Sequence, residues 1–176
     1  MARNHLLMPT ALIMFAGLTA GCVHAPTANV ATAPALKLLE PLPGLYTAGQ
    51  PDAGDWKAIH ARGVQVVINL RPPGELKNRD ESAEVRGAEM RYLEIPVAGA
   101  DGINDSNARA LHAALAPTHG NGVLVHCSSG NRAGALLALE QADFDGLPKE
   151  KALELGRKAG VTSLEARLRQ LLDAGR

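Results

Sequence analysis

The sequence predicts an α/β domain with a central, mostly parallel sheet flanked by helices. Three strand-length runs, VQVVINL (Val64–Leu70), MRYLEIP (Met90–Pro96) and GVLVH (Gly122–His126), alternate with helix-length segments, the pattern of a sheet crossed by helical connections. VQVVINL and GVLVH are dominated by apolar residues, as strands buried on both faces require. The segment AGALLALEQADF, Ala133–Phe144, is apolar on nearly every side of its first two turns, so it reads as a buried helix.

Taken in order, GLYTAGQP begins as a short strand and ends in a turn. PDAGDWKAIHARG reads as a helix: Pro51 suits its first turn, Asp52 and Asp55 favour its N-terminus, Trp56 and Ile59 face inward, and Gly63 stops it. The β-branched VQVVINL run lies between Gly63 and Pro72. DESAEVRGA is a short polar helix, and MRYLEIP alternates as a strand before ending at Pro96. DSNARALHAAL is a helix capped by Asp105 or Ser106, with Ala108, Leu111 and Leu115 on one face. Two further helices are expected around Pro148–Lys158 and Ser163–Leu172, and KEKALELGRK reads as a solvated helical face. There is no internal repeat.

The 176 residues carry a formal net charge of zero, and only 3% are aromatic. That leaves no basic stripe for a phosphate backbone and no stacking platform for bases, so nucleic acid is not an expected partner. The two cysteines, Cys22 and Cys127, lie in unlike contexts and define no disulfide framework. Residues 1–21 combine Arg3, an apolar run from Ala11 to Leu18 and small residues before Cys22 in LTAGC. The run is too short for a permanent membrane span. It resembles a bacterial lipoprotein signal, which implies that Cys22 is lipidated, although Thr19 stands where such signals usually carry leucine. An ordinary secretory signal with an incidental cysteine is the alternative. Either signal exports the protein, and the lipoprotein form places it on the periplasmic face of a membrane. By likeness to Gram-negative lipoproteins, Val23 after the cysteine points to the outer membrane. Residues 22–35 are Ala/Thr/Pro-rich and nearly uncharged, as in a flexible tether, and residues 36–176 form the folded domain.

Chemistry concentrates in HCSSGNRAG, His126–Gly134. Cys127 sits at the carboxyl end of a predicted strand and directly before a helix, where ligands of open α/β sheets bind. Ser128, Ser129, Gly130 and Asn131 supply successive backbone N–H groups, and Gly130 lets the loop curl so that they converge. With Arg132 they form an anion site that also favours an anionic, nucleophilic sulfur. His126 is expected to support the loop by hydrogen bonding its backbone. His60, His112 and His119 lack cysteine or carboxylate partners at ligand spacing, so no metal site is expected, and nothing calls for a cofactor.

LYTAGQP, VVINLR, EIPV and VLVHCSSGNRAG together resemble the dual-specificity and tyrosine phosphatase superfamily, in particular bacterial members related to the phosphatase-like domain of beta-lactamase hydrolase-like proteins. The resemblance covers about Gly44–Leu172 and implies a Cys-dependent phosphatase-like fold acting on a phosphate ester or phosphoprotein. It implies that Cys127 attacks phosphorus to give a phosphocysteine, with Arg132 and the loop N–H groups holding the equatorial oxygens. An aspartate from a nearby loop then protonates the leaving group and activates water. Asp101 is the candidate acid, since Asp105 suits a helix cap. Arg71, closing INLR, is expected to pair with Glu75.

Two departures keep other chemistries open. The loop has four residues between Cys127 and Arg132, whereas phosphatases of this superfamily have five, and Ala133 stands where a hydroxyl residue would aid breakdown of the phosphoenzyme. The compact spacing resembles the active loop of rhodanese-type sulfurtransferases, which implies a Cys127 persulfide and a thiosulfate-like sulfur donor. A non-catalytic anion-binding module is the third possibility. The LYTAGQP and VVINLR segments, which rhodaneses lack, put a phosphatase-like hydrolase first.

Overall fold

A computed structural model of the chain describes residues 36–174; Cys22 and the expected signal and tether lie outside them. Five strands form one sheet: β1 (Leu39–Leu42), β2 (Leu45–Ala48), β3 (Val66–Asn69), β4 (Arg91–Glu94) and β5 (Val123–His126). Their order across the sheet is β1-β2-β5-β3-β4, with β1 antiparallel to β2 and every other pairing parallel. The helices are α1 (Trp56–Ala61), α2 (Glu81–Gly87), α3 (Asp105–Leu115), α4 (Asn131–Phe144), α5 (Lys149–Lys158) and α6 (Glu165–Asp173). A mostly parallel sheet with helices on both faces is therefore what the chain forms.

Alternation along the central strands divides the core in two. Val66, Ile68, Val123 and Val125 face the larger cluster, which contains apolar residues of α3, α4, α5 and α6. Val67 and Leu124 face the smaller one, with Trp56 and Ile59 of α1 and Val85 of α2. Side-chain direction reverses at each strand residue, so a strand covered on both sides reads as a continuous apolar run. Helix α4 lies deepest: Arg132 through Glu140 are all buried. Its Gly134 sits where a Cβ would come within 2.8 Å of the Ala159 carbonyl oxygen, which allows α4 to approach the end of α5 backbone to backbone.

Several local expectations are corrected. β1 was not anticipated; its Pro41 removes a backbone donor, which only an edge strand tolerates. Helix α1 begins at Trp56 rather than near Pro51, because residues 51–55 form a turn closed by Asp55 N–H bonding to the Asp52 carbonyl oxygen at 3.0 Å. Neither Asp105 nor Ser106 caps α3. Asn104 does, its Oδ1 accepting from the Asn107 N–H at 3.0 Å, and Asp105 is the first helical residue.

Register decides where chemistry can gather. Ala48 pairs with His126, His126 with Asn69, and Asn69 with Glu94. These four end their strands at one level, so the segments leaving them emerge side by side along the carboxyl edge of the sheet.

Candidate active site

The loop following β5 closes over its own cysteine. Cys127 is fully buried, and the Gly130 N–H donates to its Sγ at 3.2 Å. Gly130 has φ +87°, a left-handed conformation in which any side chain would be strained. The exit of β2 holds the loop from outside: the Gln50 N–H donates to the Ser128 carbonyl oxygen at 3.1 Å, and Gly49 bridges Ser129. Ser128 and Ser129 are exposed. Alongside opens a cavity of about 420 Å³ lined by Gln50, Ser128, Ser129, Gly130 and Thr162 among others. Asn131, expected to serve the anion site through its backbone N–H, has its side chain engaged elsewhere. Its Oδ1 accepts from the Thr162 and Leu164 N–H groups at 2.9 and 3.3 Å, and its Nδ2 meets Ser163 Oγ at 2.5 Å. This side chain ties the loop to the segment between α5 and α6, and leaves only backbone for an anion.

Arg132 stands in the first turn of α4, 8% exposed. Its terminal edge is gripped by Glu75: Nη1 donates to Oε1 at 2.8 Å and Nη2 to Oε2 at 2.6 Å. The second Nη1 hydrogen reaches the Val97 carbonyl oxygen at 2.8 Å, and the second Nη2 hydrogen reaches Ser128 Oγ at 3.1 Å. That last hydrogen shares the side-on edge of the guanidinium with Nε–H, and this edge is turned to the loop. The hydrogen bond to Glu75, with the nearby Cys127 sulfur adding to it, raises the Arg132 pKa despite burial. Reciprocally, Arg132 and then Arg71 hold the Glu75 carboxyl below its ordinary range. The Arg71–Glu75 pairing is present at 3.5 Å, and Glu75 thus serves two arginines.

His126 does not hydrogen-bond the loop backbone. Its ring is buried, edge-on to Trp56 with centroids 6.1 Å apart, and its Nε2 lies 2.7 Å from Glu81 Oε1. The angle of that contact is poor, so neither ring nitrogen has an aligned hydrogen-bond partner among the described residues. Glu81 is itself 4% exposed, and its Oε2 accepts from Gln50 Nε2 at 2.8 Å. Burial raises its pKa, but His126, Gln50 and the charge of Arg79 outweigh burial, and the carboxyl sits below its ordinary range.

Asp101 occupies an exposed turn closed by the Gly102 N–H on the Ala98 carbonyl oxygen at 3.0 Å, with Ile103 fully buried behind it. The turn starts next to Val97, whose carbonyl Arg132 holds, so Asp101 rides on a segment pinned to the arginine at its base. The structure thus brings together Cys127, the 128–130 backbone, Arg132 and the root of the Asp101 turn. It adds three side chains that the sequence reading did not place here: Glu75 on Arg132, and Gln50 and Glu81 behind His126. Both Glu75 and Gln50 follow the ends of strands that terminate at the level of His126, which was the available signal. Glu81 gave none, since an acidic residue in a first helical turn ordinarily reads as solvated.

Fold and loop together are those of a phosphatase-like α/β domain. Residues 40–144 match the family described as Beta-lactamase hydrolase-like protein, phosphatase-like domain. The chain belongs to that family. It is 37% identical over 130 residues to a beta-lactamase hydrolase-like protein of Xylella fastidiosa (strain Temecula1), covering 71% of this chain and 30% of that protein. A homologue in Agrobacterium fabrum (strain C58) is 35% identical over 114 residues, 62% of this chain and 26% of its own. The chain therefore spans under a third of these relatives. Among solved structures, a DUF442 protein from Shewanella putrefaciens CN-32, provisionally assigned as a phosphatase, superposes with a TM-score of 0.64 at 28% identity, covering 77% of this chain and 85% of its own. TpbA of P. aeruginosa shares the fold, with a TM-score of 0.64 at 23% identity over 83% of this chain and 89% of its own.

Proposed function

We propose that the domain hydrolyses phosphate monoesters through Cys127. One observation carries the reading: Glu75 occupies the terminal edge of Arg132 and leaves the side-on edge facing the cysteine loop. A tetrahedral anion above Sγ would take that edge by displacing the neutral Ser128 hydroxyl, the weakest of the four terminal contacts, and would accept from the loop N–H groups on its other side. The Cys127 thiolate attacks phosphorus, an S–P bond forms, and the ester P–O bond breaks. Asp101 gives its proton to the departing oxygen. Water then attacks the phosphocysteine, Asp101 takes its proton, and the S–P bond breaks to release phosphate and regenerate the thiolate. Ala133 offers no hydroxyl to this second step, so breakdown of the phosphocysteine is the slow half. Small phosphoesters and phosphoproteins both fit this chemistry. In the cell, the domain works outside the cytoplasm, tethered through lipidated Cys22.

Steady-state hydrolysis of an aryl phosphate, with acid quenching to trap S-linked phosphate on Cys127, tests the mechanism. Turnover in wild type and its loss in Cys127→Ser are expected. A persulfide on Cys127 after thiosulfate, with no phosphate turnover, would instead make it a sulfurtransferase, and neither reaction would make it an anion-binding module.

A further inference from the structure

We infer that Glu81 is a positioning residue for Cys127, acting through the His126 ring. Its catalytic consequence rests on the proposed function, but the placement stands on geometry alone. Helix α2 is short and polar, and Ala83, Arg86 and Gly87 on it are exposed, yet Glu81 is driven into the interior. A buried carboxylate is costly unless partnered. Here the partners are His126 Nε2 at 2.7 Å and Gln50 Nε2 at 2.8 Å.

The contacts continue from there. Gln50 Oε1 accepts from Arg71 Nη1, Arg71 Nε faces Glu75 Oε2 at 3.5 Å, and Glu75 grips Arg132. One run of side chains, Glu81–Gln50–Arg71–Glu75, therefore joins the residue immediately before the nucleophile to the arginine that closes its loop. Among the described residues, the His126 ring has the imperfect contact with Glu81 and packing against groups such as Trp56 to hold it. The carboxylate is thus the group that sets its place. Anything that lets this ring turn shifts the backbone at Cys127, whereas Arg132 at the far end of the run keeps its own direct bonds to Glu75 and to the Val97 carbonyl oxygen.

Glu81→Gln is nearly isosteric, but it removes the negative charge that faces His126 Nε2 at 2.7 Å and can turn an NH₂ in place of one of the two oxygens toward the ring or toward Gln50. Phosphate is held chiefly by Arg132 and the 128–130 backbone, so KM should change little. A misplaced attacking atom should lower kcat by about 10–100-fold. Alkylation of Cys127 by iodoacetamide at fixed pH, corrected for the folded fraction, should slow as well. This second readout needs no phosphatase activity, so it decides the inference even if wild type turns over no phosphate ester. Should Glu81→Gln fail to fold, Gln50→Leu interrupts the same run from a half-buried position and should give the same pattern. Wild-type alkylation and kcat per folded molecule in whichever variant folds would show that Glu81 is only structural and overturn the proposal.

Discussion

Glu75 and Arg132 meet end-on, two carboxylate oxygens on two guanidinium nitrogens, across 57 residues of sequence. The pair fixes the plane of the arginine and so determines which edge an incoming anion can meet. Glu75→Gln keeps one acceptor but removes the charge and the matched fork. Its kcat/KM on an aryl phosphate should fall by about tenfold or more, and Arg132→Lys, which loses the fork altogether, should lose about 10²–10³. Steady-state kinetics checks both. Faster turnover in Glu75→Gln would mean that the carboxylate competes with substrate for the arginine instead of orienting it.

Asp101 and Asp105 can be separated by leaving group. If Asp101 delivers the proton, Asp101→Asn should slow esters of poorly acidic alcohols far more than those of acidic phenols, because only the former need protonation on departure. Asp105→Asn, in the first turn of α3, should leave that dependence at wild-type slope. Rates across a series of phosphate esters read it directly, and a steeper leaving-group dependence in the Asp105 variant alone would exchange the two assignments.

Glu140 predicts a loss of stability as pH rises. Burial raises its pKa, and the hydrogen bonds from Gln141 and His112 only partly offset this. Between its ordinary value of 4.5 and the raised one, the native state binds more protons than the unfolded state. Stability should therefore fall as pH rises through that window and stay lower above it. Glu140→Gln removes the ionisation, so denaturant midpoints of variant and wild type should diverge above about pH 4.5, in the variant's favour. Midpoints that fall in parallel would mean that the His112 pair compensates fully for burial.

Asn131 should behave as a structural tie. Asn131→Ala frees the Thr162 and Leu164 N–H groups and unlinks the α5–α6 segment from the loop, which should cost about 1 kcal/mol of unfolding free energy. Phosphate affinity should change less than melting temperature. Titration with inorganic phosphate, followed by the shift in melting temperature, separates the two, and an affinity loss out of proportion would place the side chain in the anion site after all.

The Cys22 assignment is tested by fractionation. Full-length protein should sediment with membranes and Cys22→Ala should not, or should remain unprocessed. A mature N-terminus at any other residue would exclude the lipoprotein form.

What the sequence disclosed follows from how local each signal is. Apolar runs such as VLVH and the stretch from Ala133 to Leu139 report burial by composition alone, so sheet and central helix were legible. Cys127, Gly130 and Arg132 lie within six residues of one another, and their spacing carries its own geometry. The Arg71–Glu75 pair, four residues apart, was legible, but the hold of Glu75 on Arg132 and the burial of Glu81 were out of reach because those partners are distant in the chain and the immediate context is polar. The β1 hairpin escaped because Pro41 argues against a strand anywhere but at a sheet edge. Asn104 was passed over for its neighbour Asp105 because adjacent polar residues are equally able to cap, and only the turn before them selects one.

The close approach at Gly134 bears on loop length itself. The first hydrogen bond of α4, from the Gly134 N–H to the Gly130 carbonyl oxygen, starts inside the loop, so no slack separates the two. A residue added between Asn131 and Arg132 would advance the helix by about 100° of phase. Ala133 would then occupy the place of Gly134, with its methyl against the Ala159 carbonyl. The number of residues between cysteine and arginine is thus not free to drift by single steps; it is indexed to the rotation of a buried helix, and a change in one would have to be matched by recutting the surface on which the other rests.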